Sequence, residues 1–403
     1  MPALASLYAP RTRGITGSVI DASTSLLGSQ THDVVRLAMG SPAVEAIPSA
    51  TFGALLAELE ADHGAFDYGP TEGDPALRAA LLEFLAANGT SAREDELLIT
   101  SGGMQGLDLV CKLFVGRGDL VAVESPTYTN GTATISGYEG EMVEVPGDAG
   151  GMDVGALERI AAERGAPKVI YTIPTFQNPA GTTLSLERRE RLIELAADWG
   201  SVVLEDDPYS LLRFEGPELP SLRELGAGRA RVIAVHTFSK ILAPGLRVGW
   251  VLAEPEVIGR MVDARQSMDT CTAPPMQRLV ARFLADGLAD EHLARLRVDY
   301  HDRKVAMQRS LAEELGDLGA TWTDPHGGFF LWLTLPEHID TTVLFQVALR
   351  EGVAFIPGRA FSIGGRFGNA LRLAFSAEPP GRAREGIVRL RRAIDEITTD
   401  HQE

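Results

Sequence analysis

The sequence predicts an α/β protein with a doubly wound sheet and a second, smaller α/β unit. Runs of β-branched and apolar residues alternate with amphipathic stretches at helical spacing from about Leu97 to Val251, which is typical of strands joined by helices. A long helical stretch from Pro275 to Leu315 follows, and further strand patterns come after it. Ligands bind at the carboxyl ends of strands in such sheets, so we expect the functional residues along one edge.

The composition is that of a globular protein with a large core. The 403 residues are 45% apolar, and this length is typical of two to three domains. With 37 Lys and Arg against 55 Asp and Glu, the net charge is −18, so we expect no nucleic-acid partner. Two cysteines, Cys111 and Cys271, are too few for a disulfide framework and fit a reducing cytoplasm. No signal peptide, membrane span or metal site is expected.

The first residues predict an arm followed by a short strand. Residues 1–34 have weak periodicity, with one helix expected around Ser18–Leu27. The segment from Val35 to Pro42 is typical of a strand broken by a turn, where Gly40 would let the backbone approach a ligand closely. Many strands end in this way, so an ordinary turn is the alternative.

A turn-rich loop from Tyr68 to Pro75 precedes a helix. Asp74 is a typical N-cap and Pro75 a typical first helical residue. Tyr68, beside a glycine and a proline, is either a ligand contact or a packing residue. The apolar face of the helix consists of Leu77, Leu81, Leu82 and Leu85.

A glycine-rich turn, Gly102 and Gly103, opens a second helix immediately after the strand pattern Leu97–Thr100. Such a turn presents backbone N–H groups, including that of Met104, and the positive end of the helix dipole, which suits a phosphate. The alternative is a plain connector, because these turns are common.

Two further strand patterns end in residues that suit a flat polar ligand. Tyr128 follows the strand Leu120–Val123, where its ring can stack on a heteroaromatic ring or cover the core edge. Asn178 follows the strand Val169–Pro174 in an Asn-Pro turn that fixes the direction of its amide. Asn-Pro turns are frequent, so a structural turn is the alternative there.

Three consecutive acids, Glu205 to Asp207, follow the strand Val202–Leu204, with Tyr209 shortly after them. A carboxylate at the end of a buried strand can pair with a ring nitrogen and keep it protonated. Acids in a row usually form a solvated turn, and these patterns alone leave both interpretations open.

The most informative stretch runs from Arg231 to Val251. A buried strand ends just before Lys240, whose amine would be partly desolvated, so that its pKa falls and the neutral form can react with an aldehyde. Hydroxyls at Thr237 and Ser239 and the cation Arg247 suit a phosphate beside it. An aldehyde that carries a phosphate is pyridoxal 5'-phosphate (PLP). A surface lysine beside a hairpin is the alternative.

Arg372 lies between two leucines on an alternating strand, so its side chain leaves on one face only. A guanidinium there could hold a carboxylate through two parallel bonds, which a lysine could not reproduce. The alternative is an arginine on a wet sheet face.

The segment 237–250, TFSKILAPGLRVGW, resembles the lysine motif of PLP-dependent aminotransferases of fold type I, class I and II. Within them it resembles the subgroup of 2-aminoadipate and kynurenine aminotransferases, and the similarity runs from about Val35 to about Phe375. It implies a mostly parallel seven-stranded sheet with one reversed strand in a large domain, 35–290, whose first residues could belong to the small domain, 291–403.

The same resemblance implies the cofactor contacts. Many relatives carry a hydroxyl or a glutamine where this chain has Gly103 and Met104, so phosphate binding should depend more on backbone amides, the two hydroxyls and Arg247. The aspartate that pairs with the ring nitrogen precedes a tyrosine by three in the family, which selects Asp206. The implied contacts are Gly102, Gly103, Met104, Tyr128, Asn178, Asp206, Tyr209, Thr237, Ser239, Lys240 and Arg247, with Tyr68 reaching the cofactor of a second copy.

The resemblance also implies the substrate contacts and the reaction. Arg372 would hold the α-carboxylate, with Gly40 and Asn178 beside it, and the arm would close over the substrate. Arg13 is a candidate contact in that arm, with a solvated arginine as the alternative. Lys240, Asp206 and Tyr209 would be the catalytic residues of a homodimeric aminotransferase that transfers the α-amino group of an amino acid to a 2-oxo acid through the pyridoxamine form of the cofactor.

Two other functions stay open. A β-lyase or decarboxylase of the same fold would share nearly every residue named above, because the cofactor supplies the chemistry. A transcriptional regulator would carry this domain behind a DNA-binding module, for which we expect no room before Val35.

Overall fold

The structure is a computed structural model that describes residues 4–15, 17, 31–59 and 63–399. The helix expected around Ser18–Leu27 lies outside the described residues. Within the described part of the chain, every helix is too short or too polar to cross a membrane.

The strands and helices follow the alternation that the sequence predicts. The strands are β1 (Val35–Arg36), β2 (Leu97–Thr100), β3 (Leu120–Ser125), β4 (Glu141–Asp148), β5 (Gly151–Met152), β6 (Val169–Thr172), β7 (Val202–Asp206), β8 (Arg231–Thr237), β9 (Gly249–Leu252), β10 (Thr321–Trp322), β11 (Phe330–Thr334), β12 (Val353–Ala354), β13 (Ile356–Pro357) and β14 (Ala370–Ala374). The α-helices are α1 (Ser49–Glu58), α2 (Pro75–Ala87), α3 (Gly103–Phe114), α4 (Thr129–Gly137), α5 (Val154–Arg164), α6 (Leu186–Trp199), α7 (Leu222–Gly226), α8 (Pro255–Gln266), α9 (Pro274–Ala285), α10 (Leu288–Leu315), α11 (Thr341–Arg350) and α12 (Pro380–Thr399).

The large sheet has the order β2-β9-β8-β7-β6-β3-β4-β5. The five consecutive strands β8, β7, β6, β3 and β4 are parallel to one another, whereas β9 is reversed between β2 and β8. The mostly parallel sheet with one reversed strand is therefore confirmed. An eighth strand, β5, adds two residues at the edge, because Gly151, at φ +86°, allows the chain to fold back on β4 directly.

Both faces of this sheet are buried, which explains the nearly continuous apolar runs of its strands. In β3, Val121 and Val123 belong to one core cluster, whereas Ala122 belongs to another. In β7, Leu204 belongs to the first of these clusters and Val203 belongs to the second. Successive side chains of a strand point to opposite faces, so helices on both sides must supply apolar partners.

The predicted helix starts of α2 and α6 are confirmed. The Asp74 side chain accepts a hydrogen bond from the Ala76 N–H at 2.9 Å, and Ser185 accepts one from the Arg188 N–H at 3.3 Å. The helical stretch predicted from Pro275 to Leu315 consists of two helices, α9 and α10, because Gly287 adopts a left-handed conformation, φ 69°, between them.

The smaller unit is a four-stranded antiparallel sheet of order β10-β11-β14-β13, which packs with helices α10, α11 and α12. The first described strand, β1, pairs in parallel with β12, so that Val35 lies opposite Val353. The segment that follows the arm therefore pairs with the C-terminal part of the chain. The division at 34/35 and 290/291 stays a prediction.

Candidate active site

A cleft of about 360 Å³ lies at the carboxyl ends of the parallel strands. Tyr128 follows β3, Asn178 follows β6, Asp206 ends β7 and Thr237 ends β8. The sequence-predicted residues that line it are Gly40, Gly103, Met104, Tyr128, Asn178, Asp206, Tyr209, Thr237, Ser239, Lys240, Arg247 and Arg372. Twelve side chains or glycines from separate strand ends and loops are thus brought together.

Lys240 follows β8 and is half-buried in the cleft. Its Nζ donates a hydrogen bond to the Gly40 carbonyl at 2.7 Å. Burial lowers its pKa to about 8, and the positive charge of Arg372 adds to this effect, while Asp206 opposes it. A substantial fraction of the amine is therefore neutral near pH 8, which a nucleophile and a proton acceptor both require.

Asp206 is buried at the end of β7, where its Oδ2 accepts a hydrogen bond from the Tyr171 hydroxyl at 2.9 Å. Burial raises its pKa to about 7, and the bond from Tyr171 opposes that rise. The two adjacent acids lie on the opposite side of the strand. Glu205 accepts hydrogen bonds from the Leu222 and Arg223 N–H groups, which agrees with the choice of Asp206 among the three acids.

Arg372 on β14 is only 1% exposed, which excludes the alternative of an arginine on a solvent-exposed face of the sheet. Its guanidinium donates to the Asn178 Oδ1 at 2.9 Å and to the Ala38 carbonyl at 2.7 Å. Phe330 lies 4.1 Å from the guanidinium carbon, measured to the ring centroid. The Nε of Arg372 has no hydrogen-bond partner among the described residues, and burial lowers the pKa of Arg372 to about 10.

Tyr209 and Asn178 line the cleft together with Asp206. Tyr209 is buried against Phe329 and Phe330, with ring centroids 5.4 and 5.9 Å apart, and burial raises its pKa. The bond from Arg372 occupies the Asn178 amide oxygen, which orients its NH₂ group as a donor. Two donors are thus held in fixed orientations.

Cationic and hydroxyl groups gather at the start of α3. The Thr237 hydroxyl donates to the Ser239 Oγ at 2.8 Å, and Arg247 donates through Nη2 to the Ser101 carbonyl at 3.2 Å. A Cβ at Gly102 would lie 2.6 Å from Arg247 Nη2, and the residue has φ +84°. Gly102 itself does not line the cleft. Because it has no side chain, it leaves room for the Arg247 guanidinium.

Tyr128 is half-buried, and its hydroxyl lies 3.7 Å from the Met104 sulfur. Gly40 is also restricted, because a Cβ there would lie 2.7 Å from Phe330 Cζ. This glycine therefore allows its carbonyl to approach Lys240 while Phe330 covers Arg372.

Two predicted residues remain, Tyr68 and Arg13. Tyr68 is 82% exposed on its loop and does not line the cleft of its own chain. The side chain of Arg13 lies outside the part of the chain that the structure describes.

Several site residues were missed from the sequence. Asn130 and Phe330 line the cleft, and Tyr171 and Glu124 lie behind it. Glu124 is buried and accepts hydrogen bonds from the Thr172 hydroxyl at 3.0 Å, from the Ile173 N–H at 3.0 Å and from Gln177 at 3.2 Å. The signal for Glu124 was its position beside Ser125 at a strand end, whereas Tyr171 carried none, because it looks like an ordinary strand aromatic.

The donor set fits PLP. An amine with a lowered pKa, a buried carboxyl group and a buried guanidinium share the cleft with a cluster of hydroxyls, a cation and a helix start. A lysine with a carboxylate partner for the ring nitrogen is the usual protein setting of this cofactor. Backbone amides at the start of α3 with Arg247 suit its phosphate.

Comparison with known proteins agrees with this geometry. The family described as aminotransferase class I and II matches residues 32–390. The chain is 39% identical to aromatic-amino-acid aminotransferase 1 of Thermococcus litoralis over 96% of this chain and 94% of that protein. It is 37% identical to the 2-aminoadipate transaminase of Thermus thermophilus over 91% of each chain.

A solved structure gives the same result. The crystal structure of Pyrococcus horikoshii kynurenine aminotransferase, in complex with PMP, superposes with a TM-score of 0.90 at 36% identity and covers 98% of both chains. The sequence-based family assignment and the fold type I architecture are confirmed. The chain belongs to the class I and II aminotransferases, and it is an enzyme of the PLP-dependent kind.

Proposed function

We propose that Lys240 is the residue that carries the cofactor and transfers the proton in transamination between an α-amino acid and a 2-oxo acid. The observation that carries this proposal is the position of Lys240 in one cleft with Asp206 and Arg372. Among these three, the lysine has the lowered pKa that its task requires, about 8. PLP supplies an aldehyde for the amino group and a protonated ring that withdraws electrons from the α-carbon.

The cofactor would be held from three sides. Asp206 would pair with its ring nitrogen, and Tyr128 would cover the ring face. Tyr209 and Asn178 would donate to its phenolic oxygen. Its phosphate would be bound by Arg247, by the hydroxyls of Thr237 and Ser239, and by the amides of Gly103 and Met104 beside Gly102.

Lys240 moves the proton. As a neutral amine, its Nζ accepts the proton of the substrate α-carbon, and as an ammonium it returns that proton on the cofactor side. The Gly40 carbonyl, 2.7 Å from Nζ, holds the amine in the cleft. Positioning of the base in this way removes part of the entropic barrier of proton transfer.

Arg372 orients the substrate. Its buried guanidinium has a nitrogen, Nε, without a hydrogen-bond partner among the described residues, and an α-carboxylate supplies a charged acceptor. Asn178 and Gly40 would be adjacent to that carboxylate, and the arm that carries Arg13 would close over it. Fixing the carboxylate places the α-proton where Lys240 reaches it.

The amino donor in this proposal has a neutral, largely apolar side chain. The cations among the described cleft residues are Lys240, Arg247 and Arg372, and each already has a role. Apolar side chains such as Met39 and Phe330 make up much of the remaining lining. The names of two similar proteins, aromatic-amino-acid aminotransferase and kynurenine aminotransferase, agree with this preference.

The protein would act as a homodimer in the cytoplasm. Tyr68 and its neighbour Phe66 are 82% and 69% exposed on one loop, which leaves them for the cofactor and the surface of a second copy. The two cysteines, Cys111 and Cys271, are not joined in a disulfide, which agrees with a reducing compartment.

The test is an absorbance spectrum of the purified protein, followed by additions of single amino acids. We expect a near-visible band that Lys240→Ala removes, since no amine is then available to bind the aldehyde. Phenylalanine and kynurenine should convert the cofactor to its amine form and release 2-oxo acids, and 2-aminoadipate and aspartate should do so far more slowly.

The outcomes separate the functions. Release of ammonia or carbon dioxide without the amine form would favour a β-lyase or a decarboxylase. Equal turnover of 2-aminoadipate and phenylalanine would contradict the proposed side-chain preference. A band that persists unchanged in Lys240→Ala would contradict the role of Lys240.

A further inference from the structure

Tyr171 lies behind the cleft and is in contact with its central acid. It belongs to β6, is fully buried and does not line the cleft. Its hydroxyl donates to the Asp206 Oδ2 at 2.9 Å. Burial and the nearby charge of Asp206 raise the pKa of Tyr171 well above its usual value, so the phenol stays protonated and acts as a donor at every working pH.

A glycine keeps the space for this hydroxyl. An ideal Cβ on Gly131 in α4 would lie 2.5 Å from Tyr171 Oη, so any larger residue at that position must displace the tyrosine. Glycine is unfavourable in a helix relative to alanine. Its presence at this position matches the volume that the hydroxyl occupies.

The contact acts on the charge of Asp206. Burial favours the neutral acid, and the hydrogen bond from Tyr171 is the strongest opposing influence. Neighbouring charges act in both directions: Asp207 favours the neutral form, whereas Lys240 favours the carboxylate. The other titratable groups that interact with Asp206 are Glu124 and Tyr209.

We propose that Tyr171 is a positioning residue, whose hydroxyl holds one oxygen of Asp206 and keeps the carboxylate ionised, so that the other oxygen is left for the ring nitrogen of the cofactor. This inference rests on the proposed function. It assigns a role to a residue that has no contact with the cleft itself.

The experiment measures binding of pyridoxamine 5'-phosphate to the full-length apoprotein by fluorescence titration between pH 5.5 and 8.5 (about the range over which Asp206 titrates). This ligand has no aldehyde, so the result is independent of bond formation with Lys240. Tyr171→Phe removes only the hydroxyl. Tyr138→Phe is the matched control, because it removes a tyrosine–aspartate bond of the same length, 2.9 Å to Asp108, outside the cleft.

We expect Tyr171→Phe to weaken binding about tenfold at pH 7, because a hydrogen bond to a charged group is lost. The decline of affinity on the acid side should move to higher pH, since Asp206 loses the donor that lowers its pKa. The kcat should fall while KM for the amino acid changes little. Gly131→Ala, which displaces the hydroxyl without removing it, should shift affinity and pH profile in the same direction.

The controls separate this inference from the proposed function. Wild-type affinity and an unshifted acid limb in Tyr171→Phe would overturn the inference alone. A uniform loss of affinity at every pH in Tyr171→Phe and Gly131→Ala would also overturn it, because it would indicate a general structural defect. Absence of cofactor binding by the wild-type protein would instead overturn the proposed function, and the inference with it.

Discussion

Neighbouring carboxylates lie in different environments on the two sides of β7. On one side, Asp206 borders the cleft of about 360 Å³. On the other side, Glu205 and Asp207 border a second cavity of about 240 Å³, together with Arg189 and Trp250. The chain thus places three acids in a row, and the alternation of the strand sends the middle one to the opposite face.

Hydrogen bonding separates a structural cavity from a reactive one. On the far side, Glu205 accepts from two backbone N–H groups, and Arg189 donates to the carbonyls of Leu184, Pro174 and Pro220. The exception is the indole N–H of Trp250, which has no partner among the described residues. On the cleft side, Lys240 is held by one carbonyl, and the Arg372 Nε lacks a partner among those residues. Buried polar groups are normally satisfied, so the spare capacity of Lys240 and Arg372 agrees with ligand binding on the cleft side.

The largest expected effect comes from the acid on the cleft side. Asp206→Asn keeps the shape but removes the negative charge that we propose pairs with the ring nitrogen. We expect kcat to fall by about two to three orders of magnitude, by analogy with the loss of other preorganised charge-stabilising groups. Steady-state transamination at pH 8 measures it.

Asp207→Asn is the matched control, at the residue immediately after the end of β7. Asp207 accepts a hydrogen bond from the Ser210 N–H at 3.0 Å, on the other face. The amide oxygen of the variant can still accept this bond but carries no charge, so the free energy of unfolding should fall by less than the about 1–3 kcal/mol of a bond lost outright, in chemical denaturation, while kcat stays near the wild-type value. A similar loss of kcat in both variants would break the distinction between the two sides.

A smaller effect is expected at the substrate contact. Arg372→Lys keeps a positive charge but loses the planar, two-pronged donor and the bond to Asn178. We expect kcat/KM for the amino acid to fall about 10- to 100-fold, because one or two charge-assisted hydrogen bonds are lost. Cofactor affinity should change little. An Arg372→Lys enzyme with wild-type kcat/KM would show that the guanidinium has no part in carboxylate binding.

The smallest effect is a shift in pH dependence. The rate at which the apoprotein binds PLP should rise with pH through a midpoint near 8, because only neutral Lys240 attacks the aldehyde and its pKa is lowered to about 8. Arg372→Met should move this midpoint upward, since the positive charge of Arg372 is one cause of the lowered pKa. Arg372→Lys retains the charge and should leave the midpoint in place. Stopped-flow absorbance over pH 6 to 10 (about two pH units on each side) distinguishes the two.

The sequence predicted much of the site because the chemistry stands at strand ends. Tyr128, Asn178 and Asp206 each follow a run of buried apolar residues, and parallel strands bring those ends to one edge. Lys240 follows the fourth such run. Their convergence in one cleft needed only the alternation of strands and helices to be recognised.

The remaining features depend on contacts between distant parts of the chain. The strand pattern alone did not distinguish Arg372 from a surface arginine, and only the family resemblance selected it, because the rings of Phe330 and Phe361 that cover it come from other elements. Tyr171 looks like any β-strand aromatic until Asp206 lies beside it. The break at Gly287 was hidden by apolar residues at helical spacing on both sides of it.

The pairing of β1 with β12 also sets an order of assembly. The strands of the large sheet lie within residues 97–252, so that sheet can form from a continuous stretch of nascent chain. Val35 can pair only after Val353 has been synthesised. Gly40, whose carbonyl accepts a hydrogen bond from the Lys240 amine, follows a few residues after this strand. Such long-range pairings form slowly because loop closure precedes their contacts. Lys240 therefore acquires its carbonyl partner late in folding, after residue 353 has been synthesised.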